Sequence, residues 1–216
     1  MEPLSDDLIA RFREDYERLL SPAEAPDHRI ALAVSGGPDS MAMLGLAAAA
    51  FPGRVIAATV DHGLRPEAAN EVLLVARACD RIRVPHTALK IETPPGASGN
   101  LHGWARQERY LLLKRWAVDA EAPTLCTAHH AEDQAETFLM RAARATGLSG
   151  LAAVRARNET PVSLAGQTRT ERGDDGWVIH VESRPIVLLR PLLRWRRPEL
   201  RAVAEQLNLT LSLIHI

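Results

Sequence analysis

Lysine is almost absent from this 216-residue chain: Lys90 and Lys114 are the only two among 26 basic residues. Arginine supplies the rest. Either a preference for phosphate recognition or a GC-rich coding bias accounts for that, and composition does not choose between them. Cysteine is equally scarce. Cys79 and Cys126 form no C-x-x-C pair and no zinc quartet, which suits a reducing cytosol, and both are expected to be buried thiols. Long hydrophobic runs are lacking too. The longest, Met41 to Phe51, falls far short of the roughly 20 residues that span a bilayer, and the start, Met1 to Arg13, is acidic and mixed rather than basic-then-apolar. Neither a signal peptide nor a membrane partner is expected, and the location read from this is cytoplasmic. No charge of one sign dominates either, since 26 basic residues against 27 acidic ones leave −1. Any RNA contact therefore has to be local.

What is present is enough apolar residue, 46%, for one sizeable core plus an appendage. From His28 onward, short β-type runs at 30–34, 54–60, 85–91 and 124–127 alternate with amphipathic stretches. Ala69, Val72, Leu73, Ala76 and Cys79 recur at helical spacing, as do Leu101, Ala105, Leu112 and Trp116. Strands that each return through a helix predict an α/β fold, a doubly wound parallel sheet with helices on both faces, with ligands beyond the carboxyl ends of the strands. Residues 6–20 read as an N-terminal helix within a leading segment 1–27. The main domain is expected over 28–210. Within it, 158–177 is polar and glycine-bearing, a surface loop or hairpin insertion, followed by short strands at 178–181 and 185–189 and a helix starting near Arg197 and Pro198.

The strongest local signal is Ser35-Gly36-Gly37-Pro38-Asp39-Ser40, between an apolar strand and a helical run. Glycines let the backbone turn tightly and approach a ligand, and the free N–H groups of a helix start form an anion site. Pro38 suits a first helical position, and Ser35 and Ser40 add hydroxyls. Asp39 would repel bound phosphates unless a divalent cation bridges them. The segment is not a Walker A loop, since no lysine precedes Lys90, and it is not G-x-G-x-x-G. The competing reading is an ordinary turn capped by Asp39 or Ser40.

A second cluster is Ala128-His129-His130-Ala131-Glu132-Asp133-Gln134-Ala135-Glu136-Thr137. On a helix, Ala131, Ala135, Phe138, Leu139 and Ala142 make one apolar stripe, while His129, Asp133 and Glu136 fall at i, i+4 and i+7 on another side. A solvated face with a carboxylate near the helix start competes with a functional cleft. Zinc competes as well, because His129 and Asp133 are at ligand spacing, although H-E-x-x-H and nearby thiolates are lacking. For RNA, Arg184, Arg190, Arg194, Arg196, Arg197 and Arg201, and separately Arg141, Arg144, Arg155 and Arg157, form regions poor in acids. Either a phosphate path or a solvated face accounts for them.

The hexapeptide resembles the S-G-G-x-D-S loop of the N-type ATP pyrophosphatases, the PP-loop superfamily, whose members cleave ATP between its α and β phosphates. Three further segments, Val60-Asp61-His62-Gly63-Leu64-Arg65-Pro66, Ala105-Arg106-x-x-Arg109-Tyr110 and the His-rich cluster above, together with Arg190-Pro191-Leu192-Leu193, resemble the tRNA(Ile)-lysidine synthase family from about residue 29 to 209. That resemblance implies an adenine nucleotide α-hydrolase-like, Rossmann-like fold and a ligase forming a C–N bond. It implies that ATP and Mg²⁺ are used, with an isoleucine tRNA bearing a CAU anticodon and free L-lysine as substrates; a homodimer is an arrangement the sequence leaves open. It assigns Ser35, Gly36, Gly37, Pro38, Asp39, Ser40, Asp61, His62 and His129 to the nucleotide and Asp39 to the metal. Asp133 and Glu136 would grip the lysine ammonium, and Arg106 or Arg109 would face phosphate, the sequence leaving open which. A 2-thiocytidine synthetase-like enzyme, another adenylating enzyme of the superfamily, or a catalytically silent ATP-binding fragment are the rival readings. Finally, residues 211–216 are apolar with no stop signal. We expect the native sequence to end near Thr210, with the last six residues an artefact of cloning or assembly and the family's C-terminal tRNA-binding domains missing.

Overall fold

The computed structural model describes residues 3–22, 24, 27–61, 67–92, 101–143, 154–173 and 176–209. A six-stranded sheet runs through the molecule in the order β3-β2-β1-β4-β6-β5. Its strands are β1 (Ile30–Ala33), β2 (Val55–Asp61), β3 (His86–Lys90), β4 (Thr124–Cys126), β5 (Arg157–Gly173) and β6 (Gly176–Leu189). The first four are parallel, β6 joins β4 in parallel through 187–189, and only β5 runs against its neighbour. The expected α/β sheet is therefore present, with a mixed edge.

Successive residues of each inner strand enter opposite cores. Ile30, Leu32, Val55 and Ala57 face one core, which also takes Phe12 and Tyr16 of α1 (Asp6–Glu17), most of α2 (Pro38–Ala50), Val75 and Cys79 of α3 (Glu67–Arg81), and Leu200 and Val203 of α6 (Arg197–Gln206). Ala31, Ala58 and Leu125 face the other, against Leu113 and Ala117 of α4 (Leu101–Asp119). Each fully buried large aliphatic side chain contributes about 1.5–3 kcal/mol. Helix α2 shows no polar face because α1 and α6 cover the side turned away from the sheet. Both cysteines are buried, as expected.

Two helical faces are rotated from the sequence reading. Leu73 is 55% exposed, and Val75, Ala78 and Cys79 make the buried face of α3. Likewise Ala105, Leu113 and Ala117 carry α4, with Leu112 and Trp116 at its margin. In both helices apolar residues flank the buried ones, so the pattern gives the width of the stripe but not its centre. Residues 157–173 and 176–189 are the two arms of a β-ribbon. Instead of two short strands at 178–181 and 185–189, one strand runs through β6. Pro161 lies opposite Pro185; β5 is an edge and β4 pairs only from Val187, so neither missing N–H is demanded by a neighbour. Among the described residues no helix is long and apolar enough to cross a membrane.

Gly45 marks the tightest helix contact. A Cβ there would lie 2.1 Å from Cδ1 of Leu207, just past α6. We expect Gly45→Ala to push α6 outward and to cost about 1–3 kcal/mol, read as a lowered denaturation midpoint. An unchanged midpoint would show that Leu207 moves aside freely.

Candidate functional site

Strand order reverses between β1 and β4, the place where an open α/β sheet leaves a crevice at its carboxyl ends. A cavity of about 280 Å³ lies there, lined by Ser35, Gly37, Asp39, Arg109, His129 and Asp133 among others. Thus the Gly-rich turn after β1 and the His-rich turn after β4 meet in one cleft.

The turn is braced from within. Gly36 has φ of 85°, a left-handed conformation that a side chain would strain by about 1–2 kcal/mol. Gly37 is the N-cap of α2 and Pro38 begins the helix, with no side-chain cap. Neither Asp39 nor Ser40 caps it, so the helix start keeps its amides for a ligand. The Ser40 hydroxyl donates to the Gly37 carbonyl (2.9 Å) and accepts from the Ser35 amide (3.2 Å). It is a buried brace that also lines the cleft where a ligand donor was expected. The exposed Ser35 hydroxyl is within 3.2 Å of it.

Helix α5 (Ala131–Ala143) begins after His130, so His129 lies before the helix and not on its i, i+4, i+7 face. The Thr127 hydroxyl, 2.9 Å from Nδ1 of His129, orients that ring toward the cleft wall instead. Burial, with Arg190, Arg106 and Arg109 nearby, lowers the His129 pKa to about 4. The ring is therefore neutral at physiological pH. Asp133 lines the cleft, yet its Oδ2 also accepts the His130 amide at 2.9 Å, one half of a capping box. Glu136 is exposed and does not line the cleft. Three residues along a helix add about 4.5 Å of rise and turn the side chain about 60° from Asp133, which carries it past the cleft wall. The apolar stripe of α5 is likewise uncovered among the described residues, with Phe138 and Leu139 47% and 65% exposed.

Sequence reasoning passed over His130, which is 1% exposed at the centre of a charged cluster. Its Nε2 lies 3.4 Å from Asp39 and 3.7 Å from Asp133, and its Nδ1 lies 3.0 Å from Glu132. The Arg197 Nε approaches the same Nε2 at 3.4 Å, while the Arg197 amide donates to Glu132. The available signal was the His130-x-x-Asp133 spacing of a capping box just ahead of a helix. Asp39 has its pKa raised by burial and by Asp133, against the pull of His130 and Arg197, and its Oδ1 is buried without a hydrogen-bond partner. An orphaned hard oxygen at a phosphate-binding turn fits a Mg²⁺ shared with phosphates. Among the described residues no group of three His, Cys, Asp or Glu is placed to hold a metal by itself.

Of the two candidate arginines on α4, Arg109 lines the cleft and Arg106 lines the neighbouring groove, both stacking against Tyr110. Asp61 ends β2, where its carbonyl accepts the Ile91 amide, and it is not a cleft residue. His62 lies outside the described residues, as do Arg144 and 211–216. The basic residues expected to track RNA do not form one stripe. Arg157 pairs with Glu24 at 2.7 Å, Arg190 is half-buried beside Tyr110, and Arg197 reaches His130. Chain neighbours point outward or inward as the β-ribbon and α6 dictate.

Because His129 resists protonation in the folded state, the unfolded chain takes up a proton first as pH falls from about 6.5 toward 4. Stability contributed by the neutral ring is complete above that window and is lost on descending through it. We expect the melting temperature to fall less between pH 7 and 5 in His129→Asn than in the unaltered protein; equal losses would contradict the buried neutral ring.

Residues 8–212 match the PP-loop domain model ATP_bind_3. The chain is 44% identical over 183 residues to a tRNA(Ile)-lysidine synthase of Zymomonas mobilis, covering 84% of this chain and 49% of that protein. It is 40% identical over 200 residues to one of Novosphingobium aromaticivorans, covering 93% and 53%. The chain thus spans about half the length of these curated relatives. Among solved structures, the U34-tRNA thiolase NcsA of Methanococcus maripaludis, with its [4Fe-4S] cluster, superposes with a TM-score of 0.70 at 15% identity, covering 98% of this chain and 68% of that one. That likeness is one of fold.

Proposed function

The chain belongs to the PP-loop domain family of ATP-binding proteins, and on that premise we propose that it is the adenylating domain of a lysidine-forming tRNA ligase. One observation carries the reading: the uncapped start of α2, Asp39, Arg109, His129 and Asp133 share a single cleft at the strand-order reversal. The identities to lysidine synthases support the choice of substrate.

In this reading the amides of Gly36 and Gly37 and the head of α2 hold the ATP phosphates, and the Ser40 brace fixes the turn's shape. Mg²⁺ bound at Asp39 would supply charge neutralisation to those phosphates. The cytidine C2 oxygen attacks the α-phosphate, expelling pyrophosphate. The lysine ε-amine then adds at C2, and AMP leaves with the C–O bond. Arg109 offsets charge on the transferring phosphate. Neutral His129 contacts the nucleotide without repelling or attracting charge. The lysine arrives as an ammonium; Asp133 holds it and takes the proton that frees the ε-amine for attack. Glu136, exposed outside the cleft wall, has the lesser part. Sulfur transfer is disfavoured because the two cysteines of this sequence sit separately in the core, short of the thiolates an iron–sulfur cluster takes.

The test is AMP release from ATP and Mg²⁺ with a CAU-anticodon transcript, with and without lysine. Release should require both RNA and lysine. Turnover that ignores lysine contradicts the proposal.

A further inference from the structure

A second groove, of about 660 Å³, adjoins the cleft, and Tyr110 belongs to the walls of both. One bank is a single face of α4: Gly103, Arg106, Gln107, Tyr110, Leu111 and Lys114 recur at i, i+3, i+4, i+7, i+8 and i+11, with Arg115 beside them. The other bank is Pro161 to Ser163 of the edge strand β5. Among the described residues no acidic one lines the groove. Three cations therefore stand along about 14 Å of helix axis with no described carboxylate opposite.

These cations differ from the ion-paired arginines of the molecule. Arg11, Arg18 and Arg157 are held in ion pairs with Glu199, Asp15 and Glu24. Arg106, Lys114 and Arg115 make no ion pair among the described residues. Lys114 is half-buried, and an ammonium so placed gains from an incoming anion more than a fully hydrated one does. Arg106 lies over the Tyr110 ring, 5.3 Å from its centroid. An aromatic face flanked by guanidinium, at the threshold between a cationic groove and a nucleotide cleft, is a surface that unstacked bases and their phosphates fit.

We propose that this α4–β5 groove carries the phosphodiester backbone of the single-stranded RNA flanking the nucleotide that enters the cleft, with Arg106, Lys114 and Arg115 on the phosphates and Tyr110 at the point of entry. The inference rests on the ligase reading above and adds the route by which the polymer reaches the site. It places the RNA on the α4 side of the sheet, away from the α6 arginines.

The probe is a fluorescently labelled stem-loop RNA with CAU in its loop, titrated by anisotropy at several salt concentrations against the full chain. In Lys114→Gln/Arg115→Gln the affinity should fall roughly tenfold near 0.1 M salt. The slope of log affinity against log salt should become shallower by about 1.4, or 0.7 for each lost phosphate contact. ATP affinity and melting temperature should not change. Arg115→Gln alone, at an exposed position, should give about half the change in slope, which guards against a packing defect at Lys114. RNA binding that keeps its slope and affinity in both variants overturns the groove while leaving the ligase reading intact. A stem-loop that fails to bind the unaltered chain at low salt overturns both. Lysine-independent AMP release overturns the ligase reading alone.

Discussion

Asp39→Asn is expected to reduce AMP formation by about 10³-fold, the order lost when a preorganised charge at a transferring phosphoryl group is removed, while leaving the fold intact. The stability side of this prediction follows from the environment of the carboxylate. Burial and Asp133 raise its pKa despite His130 and Arg197, so the folded protein holds a proton there more tightly than the unfolded chain. The folded state is therefore favoured at low pH and loses that advantage as pH rises through the shifted pKa. At pH 7 the ionised group is a burden that a neutral amide removes, and the melting temperature should stay level or rise. Loss of activity with a lowered melting temperature would make Asp39 structural. Near-normal AMP release would remove it from the site.

Arg109→Ala should lower kcat by about 10²–10³-fold, within the range for deleting one charge-stabilising donor in a sheltered site, whereas Arg106→Ala should act on the RNA. The two residues are three apart on one helix. Arg109 lines the cleft and is desolvated enough to depress its pKa, while Arg106 is exposed in the adjoining groove. Arg109→Lys should recover little, because an ammonium does not reproduce the planar fork of a guanidinium. In Arg106→Ala the expected change is a raised KM for RNA with kcat nearly kept. Steady-state kinetics with RNA as the varied substrate separates the outcomes, and equal kcat losses in both variants would deny them different roles.

The sheet could be read in advance because parallel strands buried on both faces leave apolar runs, and Ile30, Val55 and Thr124 pair where those runs lie. The Gly-rich turn could be read because glycine is permissive where proline is restrictive, and Gly36 at positive φ and Pro38 at the helix start adopt the conformations those properties suit. Helix rotation was harder. Val75 and Leu113 are buried where Leu73 and Leu112 were expected, since a stripe of apolar residues is wider than the line that touches the sheet. Assigning His129, Asp133 and Glu136 to one face assumed that the helix had already begun at His129. The capping of the His130 amide by Asp133 sets the start later, and it also gives Asp133 a structural duty alongside any catalytic one. His130 escaped notice because its importance lies in the approach of Asp39 and Arg197, residues distant in sequence that only the folded sheet brings together.

The central claim is that the turn after β1 binds the ATP phosphates so that the α-phosphate is the one attacked. The most direct measurement follows ATP labelled at the α-phosphate in the presence of Mg²⁺, CAU-anticodon RNA and lysine, and identifies the labelled product. The account predicts AMP, with pyrophosphate released in equal amount and both formed about 10³-fold more slowly by Asp39→Asn. Labelled ADP would mean attack at the γ-phosphate and would contradict it.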